Sequence, residues 1–280
     1  MDVEAASRFL SDARFRVYLD FAKTSGISNE ALAESAWKLY RWNVDMAAEI
    51  MRSVAYLEVF VRNAIDRELR VWIRAQRMDE YLDWIDVDGS DPIGRIRKLI
   101  NGDGQDHFEE ARLSALRKRQ TWKSDNKHPR YGDSVNRDDV FAQFTFGAWE
   151  SMLRRSSEDP ELSHVLMRAF PYISQAWDIE KQRMPNAKLP GTANESNDER
   201  LRKELVTRLR RIRDVRNRAG HEENLLRVEF PKVRRDMLFV LGSLNPGCIR
   251  LALPDGAESL KRADPRQVLE QWALSEEERG

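Results

Sequence analysis

Residues 197–221 read NDERLRKELVTRLRRIRDVRNRAGH. Leu201, Leu205, Leu209, Ile212 and Val215 recur at steps of three and four, the spacing that lines up side chains on one side of a helix. The stretch therefore predicts a helix from about Asp198 to Ala219 with a buried apolar face. Between Arg200 and Arg218 stand nine Arg or Lys (200, 202, 203, 208, 210, 211, 213, 216, 218) against two acids, Glu204 and Asp214. Core-forming and phosphate-facing roles then belong to different sides of this helix, and the cations are expected to focus a positive field. The same density of charge also suits a solvated face with no function.

The segment closes on Arg216-Asn217-Arg218-Ala219-Gly220-His221. A fixed cation, an amide that donates and accepts, and an imidazole that titrates near neutrality together suit a phosphodiester. At ~100° per residue, Asn217 and His221 lie about 40° apart on a helix, whereas Arg216 and His221 lie about 140° apart. Either the Arg216 stem curls round the axis or the helix loosens at Gly220, the residue type that best tolerates a left-handed terminus.

The hexapeptide, Arg-Asn-x-x-x-His, resembles the signature of the HEPN superfamily, all-α proteins many of which are metal-independent ribonucleases in bacterial defence and toxin systems. Leu39-Tyr40-Arg41-Trp42-Asn43, then the run from Leu57 to Asp66, then Phe144-Thr145-Phe146-Gly147-Ala148-Trp149 resemble, in order and spacing, the Abi-like (abortive infection, AbiD/AbiF-type) branch. The similarity runs from about Ala31 to about Leu244. It implies a HEPN-like helical bundle with additional helices and loop insertions: one domain over 1–244, insertions about 83–137, and a C-terminal extension over 245–280 with a short helix.

The resemblance also implies a chemistry. The RNA 2′-hydroxyl attacks the adjacent phosphate to leave a cyclic 2′,3′-phosphate and a 5′-hydroxyl. His221 would act as general base or acid, Arg216 would stabilise charge on the phosphoryl oxygens, and Asn217 would orient His221 or the scissile group. Arg62 and Asn63, a second Arg-Asn pair, are read with Glu58, Arg213 and Arg218 as RNA-binding or site-supporting. Two proton transfers are required and the motif supplies one histidine; relatives commonly pair two copies, so the resemblance implies a two-fold homodimer bringing both motifs into one groove. Expected partners are RNA and, by analogy with relatives, a small structured RNA or an antitoxin. Some relatives carry a tyrosine two residues after the histidine; here Glu223 stands there.

Composition narrows the classes. Glycine and proline are sparse while Ala, Leu, Glu and Arg dominate, which predicts an all-α protein, and eight tryptophans are ample for a core. No apolar run approaches ~18 residues and the N-terminus is acidic, so neither a membrane span nor a secretion signal is expected, and the expected location is cytoplasmic. Cys248 is the single cysteine, which excludes an internal disulfide and a cysteine-based metal site. With no His-x-x-x-His and no phosphate-cradling Gly-rich loop, no metal or cofactor is expected. The zero formal charge argues against a simple nucleic-acid binder. A non-catalytic RNA-binding or assembly protein on the same fold is the rival reading.

Along the chain, the pattern predicts a helix over about Ala5–Lys23 with Phe9, Leu10, Ala13, Val17 and Phe21 inward, broken by Thr24-Ser25-Gly26. Helices over about Asn29–Trp42 and Val44–Gln76 follow, with Asn43 capping the second. Glu58, Arg62, Asp66 and Arg70 recur every four residues, a ladder that needs no function; the functional reading has Arg62 and Asn63 facing the Arg216 helix. Residues 121–137 mix cations with Trp122, His128 and Tyr131, either an exposed connection or a loop on which bases stack. Asp138 or Asp139 starts a helix carrying Phe141, Phe144, Trp149 and Leu153, and Asp159-Pro160 starts another. Asp264-Pro265 opens a last short helix holding Val268, Leu269, Trp272 and Leu274, which packs on the domain or on a partner chain.

Overall fold

A computed structural model describes residues 8–76, 83–85, 91–102 and 104–270. Every regular element among them is helical, so the chain is all-α: α1 (Asp12–Thr24), α2 (Leu32–Gln76), α3 (Ile93–Asn101), α4 (His107–Lys123), α5 (Arg137–Phe141), α6 (Phe146–Arg155), α7 (Pro160–Met167), α8 (Ile173–Arg183), α9 (Asn197–Gly220), α10 (Phe230–Leu244), α11 (Pro246–Ala252) and α12 (Glu258–Lys261). No described helix is long and apolar enough to cross a membrane. The expected start of the first helix near Ala5, and Trp272 and Leu274, lie outside the described residues. The chain divides into two units: residues 1–57, 211–238 and 249–280 form one, residues 58–210 and 239–248 the other.

In the first unit, α1 buries Phe15, Tyr18 and Ala22; of the expected inward positions Leu10 and Phe21 are partly buried against the same cluster, whereas Phe9 is 84% and Val17 38% exposed. For Phe9 the reason is local: Ser11 takes a left-handed φ of 67° and interrupts the helical register between Phe9 and the residues of α1. Phe15, Tyr18 and Ala22 join Ala36 and Leu39 of α2, Leu226 and Leu269 in one apolar cluster. The Tyr18 and Tyr40 rings meet edge to face at 5.5 Å, as do Trp42 and Phe230 at 5.6 Å, a geometry favoured by the ring quadrupoles. Leu269 shows that the C-terminal segment is part of this core. Gly26 ends α1 in the left-handed region at φ 84°, with Ile27 N–H donating to Ala22 O and Gly26 N–H to Lys23 O.

One expected boundary is absent. Residues 29–42 and 44–76 do not form two helices; α2 runs unbroken from Leu32 to Gln76, and Asn43 lies inside it with only 3% exposure. Asparagine is a poor interior helix residue unless its amide has a use elsewhere, and it has one, described below.

The second unit packs Trp84, Phe108, Phe141, Phe144 and Trp149 ring against ring, with centroid separations of 5.1–6.4 Å. Ile93, Ile96, Leu99 and Ile100 of α3 are buried in the same unit. Residues 137–155 form two helices, not one, with α5 started by Asn136 rather than Asp138 or Asp139. Asn136 Oδ1 accepts from the Asp139 amide, and Asp139 Oδ2 accepts from the Asn136 amide, satisfying two otherwise orphaned donors. Asp159 caps α7 with Pro160 at its first position, as the sequence predicts.

The acid ladder on α2 is not a surface ladder either. Asp66, 9% exposed, accepts from Trp84 Nε1 at 2.7 Å and from the Arg137 guanidinium, whose Nε donates to Asp83 at 2.7 Å. Arg62 lies half-buried with its guanidinium 5.4 Å from the Phe141 ring centre, Asn63 is exposed, and Glu58 is half-buried. Of the aromatics of 121–137, Tyr131 is 55% exposed, while Trp122 stacks on His128 at 6.0 Å with the Arg130 guanidinium 4.4 Å from its ring. With Trp122 only 9% exposed, its faces serve the fold.

Candidate functional site at the C-terminal end of the basic helix

Helix α9 buries Leu201, Leu205, Leu209 and Ile212 as the spacing requires, and Val215 is half-buried near its end. The opposite expectation, a free positive face, changes once the partners are traced. Arg200 donates to the carbonyls of Leu189 and Pro190, and buried Arg202 to those of Leu153 and Arg154. Lys203 pairs with Glu195, Arg208 with Glu204 and Glu180, and Arg210 with Glu150. Arg211 grips Asp236 with two hydrogen bonds of 2.7 Å. Arg213 pairs with Asp214, and Arg218 with Glu223 and the Asn224 carbonyl. Carboxylates and carbonyls from other segments thus absorb most of the helix's charge.

Arg216 is the exception. Among the described residues its guanidinium meets no carboxylate and no main-chain carbonyl; its one partner is the neutral Asn217 Oδ1, 3.4 Å from Nη1. A guanidinium left with unused donors at a half-buried position can take an anion without first breaking an ion pair. Asn217 is exposed and oriented toward Arg216, so the amide's observed contact is to the arginine rather than to His221.

The helix does not loosen at Gly220. His221 N–H still donates to Asn217 O at 2.9 Å, Glu222 N–H turns back to Ala219 O and Glu223 N–H to Arg218 O. This pair of bonds is the left-handed C-terminal motif in which Glu222, at φ 54°, is the reversed residue and His221 the C-cap. Gly26 plays the reversed role after α1, where the residue type matches the geometry; after α9 a glutamate takes the position against its preference. The i to i+4 relation puts His221 one turn beyond Asn217 on the same face. The imidazole is exposed and makes no hydrogen bond or ion pair among the described residues.

Three side chains hold this turn. Arg14 Nη1 reaches Glu222 Oε2 at 3.2 Å. Arg218 binds the Asn224 carbonyl, with the Glu223 carboxylate 3.6 Å away. Asn43 accepts from the Leu225 amide at 2.6 Å and donates to the Glu223 carbonyl at 3.3 Å, using both ends of its carboxamide on one strand of loop. Leu225 and Leu226 then enter the core.

Of the residues singled out from sequence, the structure brings Arg216 and Asn217 together by side chain and joins His221 to Asn217 through the main chain. Arg218 is committed to the turn and Arg213 to Asp214, so neither presents free charge. Glu58, Arg62 and Asn63 belong to the second unit and have the surroundings given above. Asn43 and Arg14 were missed as site-supporting residues. Asn43 carried a signal, a buried-stripe helix interrupted by a polar residue that an unbroken helix could not leave unsatisfied. Comparisons with protein-family models, with curated proteins and with solved structures found no match.

Proposed function

We propose that this chain is a metal-independent endoribonuclease of the Abi-like HEPN type, acting in the cytoplasm as part of an abortive-infection or toxin-type phage defence. The observation that carries the reading is Arg216: in a helix whose other cations are spent on internal partners, its guanidinium stands without an anion, bonded only to Asn217, which lies one turn before an exposed imidazole. In this reading Arg216 stabilises charge on the phosphoryl oxygens. Asn217 holds the guanidinium through Oδ1. His221 takes the 2′-hydroxyl proton or protonates the 5′-oxygen, and a second copy of the chain supplies the other imidazole. An antitoxin or small structured RNA would restrain it.

The test is to incubate purified protein with RNA in the presence of chelator and determine the chemistry of the fragment ends. Cleavage leaving cyclic 2′,3′-phosphates, lost in Arg216→Ala and His221→Ala and absent on an all-deoxy strand, supports the proposal. Equal behaviour of wild type and both variants refutes it.

One observation favours a second reading, a non-catalytic RNA-binding or assembly protein on the same fold: no side-chain hydrogen bond ties His221 to Arg216 or Asn217. RNA binding without cyclic-phosphate products in the same experiment would select it.

A further inference from the structure

Apart from Arg216, unpaired positive charge is concentrated elsewhere in the first unit. A cleft of about 660 Å3 is walled by the connection from Leu226 to Glu229, by Pro231, Lys232 and Arg235 of α10, and by the segment from Lys261 to Gln267, with Phe21 on its lining. Six cations line it, Arg227, Lys232, Arg235, Lys261, Arg262 and Arg266, against two carboxylates, Glu229 and Asp264. The carboxylates do not neutralise it: Glu229 pairs with Lys232 at 3.3 Å, and Asp264 accepts from the Arg266 amide at 2.9 Å as a helix cap. Lys261 turns to Glu258. The guanidinium groups of Arg227, Arg235, Arg262 and Arg266 have no carboxylate partner among the described residues.

Four arginines without carboxylate partners line one concavity, and their like charges repel, a cost that a bound anion would relieve. Their planar forks match phosphate oxygens two at a time. The volume falls in the range of ligand clefts. Phe21 is the one aromatic on the lining, so the site offers charge rather than a platform for stacked bases.

We infer that this cleft is a binding site for closely spaced phosphates, distinct from the Arg216, Asn217 and His221 cluster and independent of any catalysis there. Recognition through guanidinium groups alone makes binding tolerant of base sequence and steeply dependent on salt.

The experiment measures binding of full-length protein to two probes, a 12-nucleotide single-stranded RNA and inorganic triphosphate, across a salt series. It compares wild type with Arg227→Gln/Arg262→Gln and with a charge-matched control, Arg74→Gln/Lys188→Gln, whose residues are exposed and outside the cleft. The cleft variant is expected to bind at least about ten-fold more weakly, with a slope of log K against log salt reduced by about 1.4 on RNA, while the control stays near wild type. Loss on RNA alone identifies a nucleic-acid backbone as the source of the phosphates; loss on both probes identifies a free polyphosphate as sufficient. No binding of either probe by wild type, equal loss in the control, or an unchanged cleft variant overturns the inference. Wild-type cleavage of RNA that the cleft variant reproduces with unaltered affinity would sink this site and leave the ribonuclease reading standing; the reverse pattern would do the opposite.

Discussion

The Asn43 carboxamide and the Leu225 amide, 182 positions apart in sequence, meet at 2.6 Å in a buried hydrogen bond. That bond, with the one from Nδ2 to the Glu223 carbonyl, fixes the loop leaving α9 and therefore the turn whose cap is His221. Asn43→Leu would leave both main-chain groups unsatisfied and is expected to destabilise the protein by about 2 to 3 kcal/mol. Denaturant midpoints measure this. If the loop also positions His221, RNA cleavage should fall more than the folded fraction does; Arg14→Ala, which removes an exposed ion pair, should cost well under about 1 kcal/mol.

A second long-range pair governs the other unit. Arg137 and Trp84 Nε1 both donate to Oδ1 of the Asp66 carboxylate, whose side chain is 12% exposed. Removing the arginine strands a carboxylate in an aromatic core, and Arg137→Leu is expected to cost about 3 kcal/mol. Asp66→Leu/Arg137→Leu should cost less than the sum of its two singles, because the stranded charge is gone. A strictly additive pair of singles would show that the two groups do not act on each other.

The two corrections share a cause. Asn43 between Trp42 and Val44 has the letters of a helix cap, and Asp66 four residues after Arg62 has the letters of a surface ladder. Local spacing describes neighbours along a helix, but both side chains are bonded to partners from distant segments that no local pattern contains. Conversely, the buried face of α9 was legible because Leu201, Leu205, Leu209 and Ile212 need only the helical period to find the core. Its charge was overread for the same reason that Asn43 was misread: a run of cations shows in sequence, while the carboxylates that quench it come from Glu150, Glu180, Glu195 and Asp236. The basic cleft shows no run at all, since Arg227, Arg235, Arg262 and Arg266 are spread over three segments. His221 is identifiable from its motif, but of the two alternatives at the helix end the loosening at Gly220 does not occur: the left-handed residue is Glu222, two positions later, although glycine is the usual choice.

Acid should weaken the second unit through Asp159. Arg95 grips this carboxylate with bonds of 2.8 and 2.7 Å and holds it below the usual carboxylate range. Glu161 is lowered as well, by Trp72 and then by Arg95. A carboxylate depressed in the folded state stabilises it at pH values above the unfolded carboxylate range, and that contribution is lost as pH falls through the folded value. Asp159→Asn keeps an acceptor for the α7 cap but loses the titrating group. The variant is expected to be about 1 to 2 kcal/mol less stable near neutrality and to lose less on acidification than wild type, so the melting temperatures of the two converge toward low pH. Parallel curves would remove Asp159 from the account.

The end of α9 offers a gain rather than a loss. Gly220 is helical, and a Cβ there would find only the Met51 thioether, at 3.8 and 3.9 Å, an ordinary contact. Gly220→Ala should therefore stabilise by up to about 1 kcal/mol through helix propensity and a less flexible unfolded chain. Glu222 sits at φ 54°, where a side chain is disfavoured, and Glu222→Gly should add about 0.5 to 1 kcal/mol even after the exposed Arg14 contact is lost. Combined, the two changes are expected to raise the melting temperature while keeping His221 at its cap, and under the ribonuclease proposal RNA cleavage by the double variant should match wild type. A higher melting temperature with cleavage abolished would mean that the site depends on the glutamate itself or on motion at this turn, and would move the catalytic assignment away from a rigid helix end.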